Sequence, residues 1–218
     1  MKKSVYSLVL MDDVVEAIDA MAYSMNTSRS NLINQILAER VSFVTPEMRM
    51  RDIFSRIEKL MDSRFQLLDQ SSDSMMSVKS PLKYKYKPTI KYSVELFRSF
   101  EGGVGRLKVS FRTQSRALID AINRFFEIWQ QIEEKYLSGV FVNGVPWDMS
   151  YVSFTRDFYA PDSDKLTDGD IADAISGYIS LLDECIKIYF ENADNADEAK
   201  KLIDKRYCEQ LKKGLVIL

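Results

Sequence analysis

Hydrophobic positions alternate along the first residues and then switch to helical spacing. In KSVYSLVL (3–10), Tyr6, Leu8 and Leu10 share one strand face, and Val5, Ser7 and Val9 share the other. From Asp12 the period lengthens, and Val14, Ile18, Met21 and Met25 recur on one side of a helix. Asp12 or Asp13 supplies a carboxylate to cap free N–H groups at its start. Asn26 ends this helix. Thr27 or Ser28 caps a second one, whose stripe includes Leu32, Ile33, Ile36 and Leu37. The pattern over 3–43 is therefore strand, helix, polar turn, helix. One copy buries too little apolar surface to offset its ordering entropy. Two copies with paired strands and interlocked helices would bury enough.

Pro46 opens a third helix that the spacing carries to about Gln70. Met50, Ile53, Ile57, Leu60/Met61, Arg64/Phe65 and Leu68 recur at about 3.5 residues, with an interruption at Arg64. That period fits a short coiled coil extending a dimer, and equally a helix packed on its own second domain. SSDSMMSVKSP (71–81) reads as a polar linker. From Ile90 the period falls to two. Ile90, Tyr92, Val94 and Leu96 oppose Leu107, Val109 and Phe111 across a glycine-rich turn, which predicts an antiparallel hairpin with one apolar face. A helix over 115–137 follows, with Leu118, Ile122, Phe125, Trp129, Ile132 and Tyr136 on one side. Asn143-Gly144 signals a turn before an aromatic stretch holding Phe141, Trp147, Tyr151, Phe154, Phe158 and Tyr159. Thr167, with Asp170 three residues on, marks a capped helix start. A last helix runs over about 196–213 and ends at Gly214. The expected fold is α+β and mostly helical. Residues 1–45 form the N-terminal module, 46–80 a connecting helix and polar linker, and 81–218 a small antiparallel sheet covered by helices.

Composition narrows the chemistry. The 218 residues contain no histidine. That excludes Ser/His and Cys/His nucleophiles and any histidine-ligated metal. No glycine-rich phosphate loop is present. Cys185 and Cys208 have no zinc-motif spacing and suggest no disulfide framework. PDSDKLTDGDIAD (161–173) is superficially like a calcium loop, but no glutamate stands at position twelve from Asp162 or Asp164. No catalytic set, metal or cofactor is expected, so the chain is not read as an enzyme. It lacks a membrane-spanning apolar run and a secretion signal, and a reduced cytoplasmic setting is the expectation.

Charge is unevenly spread. Residues 1–60 hold eight basic and eight acidic residues, net zero. Residues 79–116 hold ten basic and two acidic, net +8, and 157–198 hold two basic and twelve acidic, net −10. KYKYKPTIKY (83–92) interleaves lysine with tyrosine, a combination that can grip a nucleic-acid backbone and stack on bases. Lys91, Lys108 and Arg112 would extend it as secondary nucleic-acid contacts on the polar face of the hairpin. The other reading is a solvated face whose lysines block edge aggregation or pair with the acidic segment. The aromatics of 141–159 fit a ligand pocket or a core.

MNTSRSNLI (25–33), with the strand and helices around it, resembles the ribbon-helix-helix superfamily, the Arc and MetJ repressor class. The resemblance covers about a fifth of the chain. It implies that paired strands from two copies enter a DNA major groove. It also implies that the start of the second helix holds a phosphate, where free N–H groups and the helix dipole favour an anion. Thr27, Ser28, Arg29 and Ser30 are the residues carried over there. The groove-facing strand positions become Val5, Ser7 and Val9, and Lys2 and Lys3 become flanking phosphate contacts. In the family, groove-facing positions are usually polar or basic, whereas here only Ser7 can bond to a base edge. The expected protein is a dimeric repressor of transcription that binds double-stranded DNA, as a homodimer or higher homo-oligomer. Its C-terminal domain would oligomerise or sense an effector. The alternative is a protein-interaction or antitoxin-like protein. Its ribbon module would mainly dimerise, and its acidic C-terminal half would take a protein partner.

Overall fold

The computed structural model describes residues 4–85, 87–100, 103–141, 144–151, 153–159 and 166–214, without the side chains of 69–71. These residues form six helices and six strands. The helices are α1 (Asp12–Ser24), α2 (Arg29–Arg40), α3 (Pro46–Leu60), α4 (Arg116–Leu137), α5 (Asp168–Glu191) and α6 (Ala196–Lys212). The strands are β1 (Gln66–Ser72), β2 (Met75–Pro81), β3 (Thr89–Leu96), β4 (Gly105–Phe111), β5 (Trp147–Ser150) and β6 (Ser153–Phe158). The chain divides into two compact units, residues 1–48 and 49–218.

In the first unit both helices end the same way. Asn26 and Ser42 take left-handed backbone, with φ of 50° and 55°. The next amide in each case reaches back to close the turn, Thr27 N to Ala22 O at 2.9 Å and Phe43 N to Ala38 O at 2.8 Å. Ser28 caps α2 by accepting from Asn31 N at 3.3 Å. Ala22, Leu32 and Ala38 are the buried hydrophobics of α1 and α2, with Gln35 beside them. The expected stripes are largely outside this contact: Val14, Met21, Met25, Ile36 and Leu37 are exposed. Residues 4–11 carry neither strand nor helix, and all six strands lie within 66–158. The strand expected over 3–10, and the ribbon built on it, are thus not found in the described residues. A strand exists through its ladder, and a single copy offers residues 4–11 no partner.

In the second unit the six strands form one antiparallel sheet in the order β1-β2-β3-β4-β6-β5. Period-two alternation sorts its side chains. Val78, Tyr92, Val109 and Phe154 fall in one cross-strand row, and Met76, Val94, Leu107 and Arg156 in the next, all buried. Helices cover this face. Phe126 of α4 stacks on Phe154 with ring centres 4.4 Å apart, and Tyr178 of α5 meets Phe158 edge-on. α6 closes the layer through Tyr207, which packs on Trp129. At Gly105 the strands approach so closely that a Cβ would collide with the Glu95 carbonyl.

Two sequence expectations fail here. The third helix stops at Leu60, not near Gln70, and 66–81 is a hairpin of two strands, not a linker. Asp62 turns the chain by accepting from Arg64 N at 2.9 Å, and Phe65 leaves helical register to meet the edge of Tyr92. The serines that made 71–81 look like a linker have distant partners: Ser80 is fully buried and accepts from Lys187 Nζ at 2.8 Å, and Ser77 bonds Ser93 at 3.0 Å. Of the two readings of the third helix, packing on its own second domain is the one found, with Met50, Ile53, Phe54 and Ile57 buried in that core.

Candidate functional site

The first candidate is the N-terminal unit. Val5, Ser7 and Val9 are exposed, and so are Tyr6, Leu8 and Leu10 on the other side of the segment. Apolar side chains thus point to solvent on both faces. Ser28, Arg29 and Ser30 lie together at the exposed start of α2, with Thr27 half-buried and accepting from Asn31 Nδ2 at 3.2 Å. Lys2 and Lys3 lie outside the described residues. The arginine is engaged. Arg29 grips Asp19 of α1 with two parallel bonds, Nε to Oδ1 at 2.6 Å and Nη2 to Oδ2. The guanidinium holds the Asp19 carboxyl below the usual carboxylate range. Both side chains are about half exposed, so the pair is solvent-screened and open to exchange for another anion.

The second candidate is the uncovered face of the sheet. Register places its outward residues in rows. One runs Gln66, Lys79, Lys91, Ser110, Ser153, Ser150, and the next Leu68, Ser77, Ser93, Lys108, Thr155, Asp148. A third holds Met75, Glu95, Arg106 and Asp157. Lys91 and Lys108 share this face, as the hairpin pattern implies, and Arg112 is exposed just beyond β4. The structure adds Lys79, the direct cross-strand partner of Lys91. The linker reading of 71–81 hid it. The tyrosines expected to stack on bases are used otherwise. Tyr92 is buried and donates to Asp183 Oδ1 at 3.0 Å. Tyr84 packs edge-on against Phe190, and Tyr86 lies outside the described residues.

The aromatic stretch splits. Phe154 and Phe158 are core, Phe141 is buried, and Trp147, Tyr151 and Tyr159 are exposed. Trp147 lines a shallow depression of about 400 Å³ with Arg106, Pro146, Asp148, Thr155 and Asp157. Asp162 and Asp164 lie outside the described residues, while Thr167 and Asp170 form the reciprocal cap expected of them.

A buried polar group went unnoticed in the sequence. Glu133 of α4 accepts from Tyr178 OH at 3.0 Å and from Arg156 Nε at 3.4 Å, and Trp129 Nε1 donates to the Tyr178 oxygen at 3.1 Å. Period-two alternation in SFTRDF already aims Arg156 inward between Phe154 and Phe158. Burial pushes the Glu133 carboxyl above the usual carboxylate range, with Arg156 opposing. The unfolded chain therefore releases this proton first, and the group's contribution to stability falls as pH rises past the ordinary carboxylate range. Glu133 and Arg156 are at most 1% exposed, so they brace the helix layer against β6 without facing a substrate.

Among the described residues no helix is long and apolar enough to cross a membrane. No protein-family model matches the chain. No curated protein and no solved structure matches it either.

Proposed function

We propose that the chain is a dimeric DNA-binding regulator of transcription, acting as a repressor. Residues 4–10 of two copies pair as a ribbon that enters the major groove. The observation that carries this reading is the exposure of Tyr6, Leu8, Val14, Met21, Ile36 and Leu37 in a short unit whose two helices bury only Ala22, Leu32 and Ala38 as hydrophobics. A second copy of the same unit supplies the missing cover. The phosphate site is the start of α2, with Thr27, Ser28, Arg29 and Ser30, and DNA phosphate replaces Asp19 as the anion of Arg29. Val5, Ser7 and Val9 face the bases, and no catalytic step is assigned. The test is an electrophoretic shift on the DNA upstream of the coding region, with a salt titration. A regulator gives a specific shifted band that weakens steeply with salt. Ser28→Ala with Arg29→Ala weakens binding to all sequences alike, because phosphate contacts position without specifying.

One observation favours a second reading, an interaction or antitoxin-like protein whose N-terminal unit only dimerises. Arg29 is already neutralised by Asp19, and residues 1–60 carry no net charge. Such a protein gives no specific shift and co-purifies with a basic partner.

A further inference from the structure

The cations of the second unit divide into two populations. Most arginines and several lysines are tied to carboxylates: Arg49 to Asp168, Arg64 to Asp62, Arg106 to Asp157, Lys135 to Asp204, Lys187 to Asp183 and Arg206 to Glu184. The acidic 157–198 segment thus spends Asp157, Asp168, Asp183 and Glu184 on other partners. Asp170 is consumed in its own helix cap. At the other extreme, Lys79, Lys91, Lys108 and Arg112 make no ion pair with any carboxylate among the described residues. Neither do Lys83, Lys85 and Lys87 of the loop between β2 and β3, at the same end of the sheet. Lys79 stands directly opposite Lys91, an arrangement that costs stability between like charges. Lys108 is diagonal to Lys91, opposite Ser93. The row through Lys79 and Lys91 holds no carboxylate on any strand.

We propose that this lysine end of the uncovered sheet face is a second binding surface for the phosphate backbone of duplex DNA. Charge complementarity selects a polyanion, and the rest of the face selects the duplex. At the lysine end its rows hold Ser93 and Ser110 hydroxyls beside the lysines and no aromatic residue, while exposed Trp147 lies on the far edge strand β5 beside Asp148 and Asp157. Single-strand binders depend on aromatic platforms for unstacked bases; Tyr92 is buried in the core, and half-buried Tyr84 is held edge-on against Phe190. Lysines and hydroxyls are donors to phosphate oxygens, which fix position without reading sequence. The choice of DNA rests on the regulator reading above; the location of the surface does not.

The test is fluorescence anisotropy of the full-length protein with a labelled duplex, and with one of its strands, across a potassium chloride series. Three variants are compared: Lys79→Ala with Lys91→Ala and Lys108→Ala, the same three positions changed to arginine, and Ser28→Ala with Arg29→Ala. These side chains lie on an exposed face, and thermal melting confirms that each variant is folded. The alanine triple is expected to flatten the slope of log affinity against log salt for the duplex by about 2.7, about 0.9 for each lost phosphate. The arginine triple should keep it. An unchanged slope in the alanine triple overturns the proposal and leaves the N-terminal reading standing. A flattened slope there, with no effect of the Ser28 and Arg29 changes, upholds it while removing the N-terminal phosphate site. A single strand bound more tightly than the duplex and released by the alanine triple overturns the duplex assignment, and a wild-type protein that binds no duplex overturns both readings.

Discussion

The two units of this chain solve the burial problem in opposite ways. Among the described residues 23 large hydrophobic side chains are exposed, and 15 of them lie in residues 5–44. That segment is about a fifth of the chain. The second unit encloses Trp129, Phe125, Phe126, Phe154 and Tyr207 almost completely. Ser28, Ser115, Thr167 and Asn195 each cap a helix by accepting a backbone N–H, but α1 has no such cap: Met11 stands at its N-cap, and the expected Asp12 and Asp13 lie within the first turn. Each unit has capped helices, and what differs most is the apolar surface left over. We propose that the first unit associates with a second copy through these uncovered hydrophobics, since the surface that drives folding is still available there.

The largest expected effect comes from removing that surplus. Tyr6→Ala with Leu8→Ala should leave a monomer by sedimentation, since each side chain buried at the dimer contributes about 2 kcal/mol on each copy. The melting of the second unit should not move. A drop in its melting temperature would erase the distinction between the units. Next is Trp129→Ala, which opens the core where α4, α5 and α6 meet and should cost about 3–5 kcal/mol in urea denaturation. That loss should be the same at low and high protein concentration, whereas unfolding of the N-terminal unit should depend on concentration. Glu133→Ala should cost a comparable 3–5 kcal/mol, because it strands the Arg156 charge in the core. A tolerated Glu133→Ala would show that water reaches Arg156.

Smaller changes sharpen the comparison inside the first unit. Ser28→Ala removes the cap of α2 and should cost about 1 kcal/mol of that unit's stability by thermal melting. Ser42→Gly should raise it by up to about 1 kcal/mol, since serine at φ 55° is strained where glycine is not.

The sequence was most legible where periodicity and capping agree. The β3–β4 hairpin, α4, α5 with its Thr167–Asp170 cap and α6 all stand within about two residues of their expected ends, the usual scatter of helix and strand boundaries. Asn26 ends α1 as its turn chemistry demands. Legibility failed between Leu60 and Pro81. Phe65 and Leu68 continue the helical spacing of Met50, Ile53 and Ile57, so the interruption at Arg64 was too weak a signal of the turn at Asp62. The serines of β2 look like linker residues because Lys187 and Ser93 are far away in sequence. The same failure hid Lys79. At the site, the hairpin pattern alone assigned Lys91 and Lys108 to one face. The pairing of Arg29 with Asp19 brings together two helices and has no sequence signature beyond opposite charge.

We propose that residues 4–10 become a strand only when a second copy pairs with them. Amide hydrogen exchange of residues 5–9 in the full-length protein, followed as protein concentration rises, tests it most directly. The prediction is alternating protection that grows with concentration as the ribbon ladder forms. Exchange at the unprotected rate at every concentration, in a protein whose second unit stays protected, would contradict it.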